Sequence, residues 1–308
     1  MNLTFSKIYG GDLISLNYNG TEYLDQTNSA SINIFECSNG ITRVVPMDYI
    51  NYTSNQINSE IKVLELGPLF GKLEIKNNIS GFEFIRTIII YWNDSFVDFK
   101  IKLRSNQPEA ALVTQRIPLN IENSTVRLGS QYGSHVPQGW KEKLTVNLPA
   151  MYWATVYNDS VGLGLVDYGL ISKRIFNDSI YLDLYHKSAT EAEPDNTKVY
   201  RENKEVTLNF AIFPYMNNIS QVYTEIHQPI YLNGYEYNFP IYYLLSSNHT
   251  GLLPKNFSLL TINDSRILLT RLNEINGNIS LRLVNADIKN NISFSLKFAD
   301  EIHENFLD

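Results

Sequence analysis

The chain has 308 residues, enough for one large hydrophobic core plus a smaller one, and its apolar share of 44% is enough to fill them. A formal net charge of -7, with 25 basic residues that form no block, argues against a phosphate-binding surface and so against nucleic acid as a partner. No apolar run reaches the roughly 18 residues of a membrane span, and the first residues lack the long apolar core of a signal peptide, so an export signal is expected outside this chain.

The aromatic share of 12%, with 20 Tyr and 15 Phe, suits half-buried pleated surfaces and predicts strands. Residues 71–75 and 82–92 flank a turn that contains Asn77, Asn78 and Gly81. In the next run, 96–103, Val97, Phe99, Ile101 and Leu103 alternate with Asp98, Lys100 and Lys102, so three adjacent antiparallel strands are expected. Further on, Asn158-Asp159-Ser160 and Asn177-Asp178-Ser179 each sit between two apolar runs and predict hairpins. Helix is scarce: one or two turns are expected over 219–227, where Val222 and Ile226 are four apart, with Pro229 stopping the chain soon after. Residues 228–255 are rich in Tyr, Asn, Pro and Gly and read as a connection, which places a domain boundary between 1–228 and 229–308. Near the end, Asn276-Gly277 lies between two apolar runs and is a strong short-range hairpin signal. With no repeat of fixed period, a propeller or solenoid is disfavoured. The fold class expected is all-β, a large antiparallel supersandwich followed by a smaller β-sandwich.

Cys37 is the single cysteine, which rules out an internal disulfide framework and leaves a chance thiol or, as expected, a buried small hydrophobe. N-glycosylation sequons begin at Asn2, Asn19, Asn51, Asn78, Asn93, Asn123, Asn158, Asn177, Asn218, Asn248, Asn256, Asn263, Asn278 and Asn291. Those 14 compare with about 5 from random placement of the same residues, although turns also gather Asn, Ser and Thr together. Glycosylation, and with it an extracellular or cell-surface location, is the expectation. The charged fraction of 19% is below the typical ~25%, as suits an acidic exterior where carboxylates are hard to keep ionised.

Motifs for chemistry are weak. The five His, at 135, 186, 227, 249 and 303, are scattered and fall in no metal-ligand spacing, so no metal site is expected in this chain. In Gly129-Ser130-Gln131-Tyr132-Gly133 the Ser stands one place early for a nucleophile elbow, and no helix follows. Gly162-Leu163-Gly164 lies within a predicted hairpin, which marks a bulge or close packing rather than a phosphate loop. Carboxylate pairs such as Asp94 with Asp98, or Asp159 with Asp167, are arithmetically available for glycoside hydrolysis, but sequence alone does not pair them and each reads better as a turn residue or part of a solvated strand face. Trp92, Trp140 and Trp153 are candidate sugar-stacking rings, with a place in the core as the competing reading.

The order of segments says more than any one motif. LELGPLFGKLEI (64–75), GFEFIRTIIIYWNDSFVDFKIKL (81–103), RLGSQYGSHVPQ (127–138), MYWATVYNDSVGLGLVDYGL (151–170) and VTLNFAIFPYMNNI (206–219) together resemble the C-terminal β region of glycoside hydrolase family 38, the α-mannosidases. The run RILLTRLNEINGNISLRLVN (266–285) looks like that family's closing small sandwich. The resemblance implies a galactose-mutarotase-like supersandwich over 1–228 and a small sandwich over 229–308. Both would pack against a separate α/β catalytic domain or subunit. In the family, zinc, its His and Asp ligands and the Asp nucleophile belong to that other domain, and its His-X-Asp motifs and three-helix linker find no match here. The expectation is therefore a non-catalytic part with no catalytic residue and no cofactor of its own, zinc being held only by the separate catalytic domain. Carbohydrate and N-linked glycans are the other partners implied. Gln131, Tyr132, Ser134 and His135 look like the family loop that borders the sugar site and are the carbohydrate-binding candidates. Two departures stand out: Ser134, His135 and Val136 replace the family's basic residue, and Pro214-Tyr215 replaces its Pro-His. The rival expectations are a structural cell-surface glycoprotein on the same sandwich and a free carbohydrate-binding module.

Overall fold

The computed structural model describes residues 1–36, 52–92, 94–106, 111–131, 133–137, 148–176, 178–187, 205–216, 227–239, 258–264, 266–285 and 291–298. Chain order begins with β1 (Asn2–Ser6), β2 (Asp12–Tyr18) and β3 (Thr21–Glu22), which form a three-stranded antiparallel sheet in that order. Next come β4 (Ile32–Glu36), β5 (Tyr52–Thr53), β6 (Glu60–Leu66), β7 (Phe70–Ile79), β8 (Phe82–Tyr91), β9 (Val97–Ser105) and β10 (Ala111–Pro118). The middle of the chain supplies β11 (Thr125–Ser130), β12 (Gly133–His135), β13 (Leu148–Pro149), β14 (Trp153–Tyr157), β15 (Val161–Asp167), β16 (Ser172–Phe176), β17 (Ser179–Lys187) and β18 (Glu205–Met216). A helix, α1 (His227–Asn238), precedes β19 (Leu260–Ile262), β20 (Ile267–Ile275), β21 (Asn278–Asn285) and β22 (Leu296–Phe298).

A nine-stranded sheet in the order β12-β11-β14-β15-β18-β9-β8-β7-β6 faces a six-stranded sheet in the order β13-β16-β17-β10-β4-β5. Period two explains which residues meet. Phe82, Phe84 and Ile88 of β8 and Val97, Phe99, Ile101 and Leu103 of β9 all point inward. Ile32 and Ile34 of β4, Val113 and Ile117 of β10, and Ile180 and Leu182 of β17 come from the other sheet into the same cluster. Each such side chain contributes about 1.5–3 kcal/mol through burial, so this interface is the main source of stability. The fold is all-β, and its antiparallel meander β6-β7-β8-β9 contains the three adjacent strands expected from the sequence.

β15 is buried on both faces. Its register with β18 runs unbroken from Val161 opposite Met216 to Asp167 opposite Phe210, so Gly162 and Gly164 mark close packing and not a bulge. A Cβ on Gly162 would lie 2.2 Å from the Tyr215 ring, and one on Gly164 would lie 2.2 Å from the Phe213 ring. This outer face carries a second cluster, in which Trp153, Val166, Ala211 and Phe213 meet Ile230 and Tyr231 of α1.

The helix differs from expectation. Residues 219–226 lie outside the described part, and the observed helix occupies the first part of the stretch read as a connection. Pro229 sits in its first turn, where the missing N–H has no intrahelical partner to lose. Gly234, within the stretch read as a connection, instead lets the helix approach Trp153: an added Cβ would stand 2.9 Å from that ring. Asn238 ties the end of α1 down by donating to the Asp167 carbonyl at 2.7 Å. Beyond it, β20 and β21 form the expected hairpin, with Asn276 and Gly277 at φ 54° and 78°, as a tight primed turn requires. Leu268 of this hairpin reaches the Trp153 cluster, and β19 pairs with β22.

Candidate functional site

The loop expected to border a sugar is a hairpin at one edge of the nine-stranded sheet, with Leu128, Gly129 and Ser130 of β11 paired to His135, Ser134 and Gly133 of β12. Gln131 and His135 are exposed and Ser134 is half-buried, whereas Tyr132 lies outside the described residues. Arg127 donates from Nη1 to Ser134 Oγ at 2.9 Å, and the Tyr231 hydroxyl of α1 donates to the Gln131 carbonyl at 3.3 Å. Gly129 has no room for a side chain, since a Cβ would meet the Met151 carbonyl oxygen at 2.4 Å and Trp153 Nε1 at 2.7 Å. The Gly129-to-Gly133 run is thus strand, turn and strand. Three of the four carbohydrate candidates share this hairpin, and none of them lines the cleft beside α1.

That cleft, of about 310 Å³, opens between the β8–β9 turn and the helix. Tyr91, Asp94, Phe96 and Asp98 line one side, and Asn233, Glu236 and Tyr237 line the other. Asp98 is the outward-facing residue of β9 that lies against α1. Burial raises its carboxyl pKa above the usual value, opposed by hydrogen bonds from the Tyr91 and Tyr237 hydroxyls, while the Asp94 charge adds to the rise. Its Oδ1 is buried with no hydrogen-bond partner among the described residues. Burial, then the Asp98 charge, pushes both tyrosine hydroxyls up as well, so they stay protonated as donors. Hydroxyls, an amide, three carboxyls and ring faces together form a surface able to hydrogen-bond a polyhydroxylated ligand. The structure brings together Asp94 and Asp98, a pair picked out from sequence. Glu236 and Tyr237 escaped that reading because they sit some 140 positions further along, on an unexpected helix.

The other pair is not brought together. Asp159 is exposed in a turn, whereas Asp167 is buried, with Oδ2 2.7 Å from Lys173 Nζ. Lys173 also donates to the carbonyls of Leu170 at 2.7 Å and Ala150 at 3.1 Å, and the Leu170 N–H donates to Asp167 Oδ1 at 2.8 Å. Burial raises the Asp167 pKa and lowers that of Lys173, and each partner's charge opposes the shift of the other. These groups lock a strand end and take no ligand. Trp153 is core, at 1% exposure, Trp92 is 52% exposed with its indole N–H donating to the Gly67 carbonyl at 2.6 Å, and Trp140 lies outside the described residues. Cys37 and the sequon residues Asn51, Asn93, Asn177, Asn218, Asn248 and Asn256 also lie outside them. Asn2, Asn19, Asn78, Asn123, Asn263, Asn278 and Asn291 are exposed, and Asn158 is half-buried, its amide donating to the Glu122 carbonyl at 3.0 Å. Among the described residues, no three His, Cys, Asp or Glu converge so as to hold a metal ion.

No protein-family model and no curated protein sequence matches the chain. Solved structures do match it. An α-mannosidase from Enterococcus faecalis V583 superposes on 96% of the chain with a TM-score of 0.71 at 14% identity. A protein of glycosyl hydrolase family 38 from Enterococcus faecalis superposes on 93% with a TM-score of 0.69 at 13% identity. The fold is one found in family 38 α-mannosidases. The chain spans 37% and 38% of the length of those two proteins, and at these identities the likeness is one of fold. No helix among the described residues is long and apolar enough to cross a membrane.

Proposed function

We propose that this chain is the non-catalytic, C-terminal β-sandwich part of an α-mannosidase-like glycoside hydrolase, supporting an α/β catalytic domain or subunit and bordering its substrate cleft. The observation that carries this reading is the superposition of nearly the whole chain on just over a third of an α-mannosidase. On this reading the zinc and the nucleophile belong to the partner, and the sandwich holds the 131–135 hairpin within reach of the sugar. An apolar rim supports a docked partner: Val63, Leu66, Leu69 and Trp92, on the edge strand β6 and the two neighbouring turns, are 53%, 72%, 70% and 52% exposed. A rim of that kind beside an open strand edge is a surface that association covers.

Isolation of the chain from its native source under non-denaturing conditions tests the proposal. It should elute with a polypeptide, covalently joined or not, that hydrolyses an aryl α-mannoside, and Leu66→Asp with Leu69→Asp should separate a non-covalent pair while leaving the chain folded. If no mannosidase activity accompanies it, the reading fails. A structural cell-surface glycoprotein is then favoured, on the strength of the seven exposed sequon asparagines. Mass spectrometry of the same material reads glycan occupancy at Asn2, Asn19, Asn78 and Asn123, and their modification would place the chain outside the cell.

A further inference from the structure

A second cleft, of about 500 Å³, contrasts with the acidic one, because none of its described lining residues carries a formal charge. It is walled by β1, β2, the 3-10 turn at Lys7–Tyr9, the loop of residues 25–29 and the 3-10 turn at Ser54–Gln56. Its size falls within the ~300–1,000 Å³ of small-molecule sites. The lining combines hydroxyls from Thr4, Ser15, Thr27 and Ser29 with side-chain amides from Gln26, Asn28 and Asn55. Tyr9, 46% exposed, supplies a ring.

Carboxylates behind this lining hold it in place. Glu22 accepts from Ser15 Oγ at 2.5 Å and Gln26 Nε2 at 3.2 Å, and from the backbone N–H groups of Leu16 and Leu24 at 2.8 and 3.1 Å. Asp25 accepts from the Thr27 N–H and Oγ1 at 2.9 and 2.7 Å and from Asn28 Nδ2 at 2.7 Å. Arg116 fixes the other end of the Asn28 amide at 3.2 Å. Beneath the floor, the buried Asp12 accepts from Ser29 Oγ at 3.3 Å, Ser54 Oγ at 2.7 Å and Arg86 Nη1 at 2.9 Å. Two consequences follow. The hydroxyls of Ser15 and Thr27 give their protons to carboxylates, and Thr27 Oγ1 also accepts from Asn28 Nδ2 at 3.1 Å, so the Ser15 lone pairs and one of Thr27 remain as acceptors in fixed positions. Both oxygens of Glu22, Asp25 and Asp12 already accept hydrogen bonds, so a cation would have to displace donors, and an anion would meet their negative potential with no charged group among the described lining residues to hold it. What remains is a pre-organised, neutral set of donors and acceptors beside an aromatic ring.

We propose that this cleft binds a neutral hexopyranose unit, with the hydroxyl and amide lining meeting the sugar hydroxyls and Tyr9 stacking on a ring face. The site is independent of the hydrolase reading, since binding here is scored without any turnover. Its sugar has two possible sources. Asn2 and Thr4 share the exposed face of β1, opposite Leu3 and Phe5, so a glycan on Asn2 would leave the strand beside the cleft.

The experiment is amide NMR titration of the chain made without N-glycans, using methyl α-mannoside, methyl α-glucoside and methyl β-galactoside as probes. Saturable shifts at the backbone amides of residues 4, 9, 15 and 26–28 are expected with at least one probe. Tyr9→Ala should weaken that binding about tenfold, the value of one aromatic contact. Gln26→Ala, at an exposed position, should weaken it less and leave the spectrum folded. Binding to glycosylated chain then separates the sources: blocked binding restored by Asn2→Gln identifies the chain's own glycan as occupant, and unchanged binding identifies a free saccharide. No saturable shift with any of the three probes, shifts confined to residues 91–98 and 233–237, or full affinity in Tyr9→Ala would overturn the proposal.

Discussion

Replacing Lys173 by Met removes the one cation that, among the described residues, neutralises Asp167. Both side chains are essentially inaccessible, at 0% and 1% exposure, and their 2.7 Å contact is joined by hydrogen bonds from the ammonium to two carbonyls. Loss of one member of a buried pair costs about 3–5 kcal/mol, because the remaining charge keeps its desolvation penalty without compensation. Burial already holds the Asp167 pKa above the ordinary 3.8, and without Lys173 the attraction that opposed this rise is gone. The folded variant therefore binds a proton that the unfolded chain releases, so its stability is greatest in acid and falls as pH rises from about 3.8 through the folded pKa. Urea unfolding of wild type and Lys173→Met at mildly acidic and at neutral pH should show a gap that widens toward neutrality. Adding Asp167→Asn, which keeps the acceptor for the Leu170 N–H, should recover about 2 kcal/mol at neutral pH. A loss below about 1 kcal/mol, or one identical at both pH values, would refute the reasoning that these groups are a buried structural ion pair.

Gly164→Ala drives a methyl into the Phe213 ring, which is itself stacked on Phe96 at 4.6 Å, and should cost about 1–3 kcal/mol, part of it returned by Phe213→Leu. Thermal or urea unfolding reads both values, and a neutral substitution would mean that the helix-covered face is loosely packed. Asp98→Asn should stabilise the chain at neutral pH. The wild-type carboxyl has a raised folded pKa, so its contribution worsens as pH climbs from about 3.8 through that value, and the amide removes this dependence. Equal pH profiles for the two proteins would show that Asp98 is better solvated than its buried Oδ1 implies.

Hairpins were legible because turn chemistry and alternation act locally. Asn276-Gly277 sits where two consecutive positive φ angles are needed, and the alternating apolar set of β9 needs only a period of two to be read. The helix was not legible. Its inward positions are the buried Ile230, Tyr231 and Gly234 with the half-buried Tyr235 and Tyr237, a composition that mimics a loop, and its stability comes from tight contact with Trp153, which no local pattern encodes. The same failure hid half of the acidic cleft, whose Asn233, Glu236 and Tyr237 depend on that helix, although the Asp94 and Asp98 side could be picked out. The neutral cleft escaped entirely, since Ser, Thr, Asn and Gln in turns are indistinguishable in sequence from ordinary turn residues until carboxylates such as Asp25 are seen to orient them.

On the proposed function, this sandwich serves a mannosidase without carrying the bond-breaking machinery. Purified chain, folded and supplied with zinc, should release no aryl group from an aryl α-mannoside above the rate in buffer, while a complete family 38 α-mannosidase measured alongside does. Release that scales with the amount of chain and disappears in Asp98→Asn would contradict the account and place a catalytic carboxyl in the cleft beside the helix.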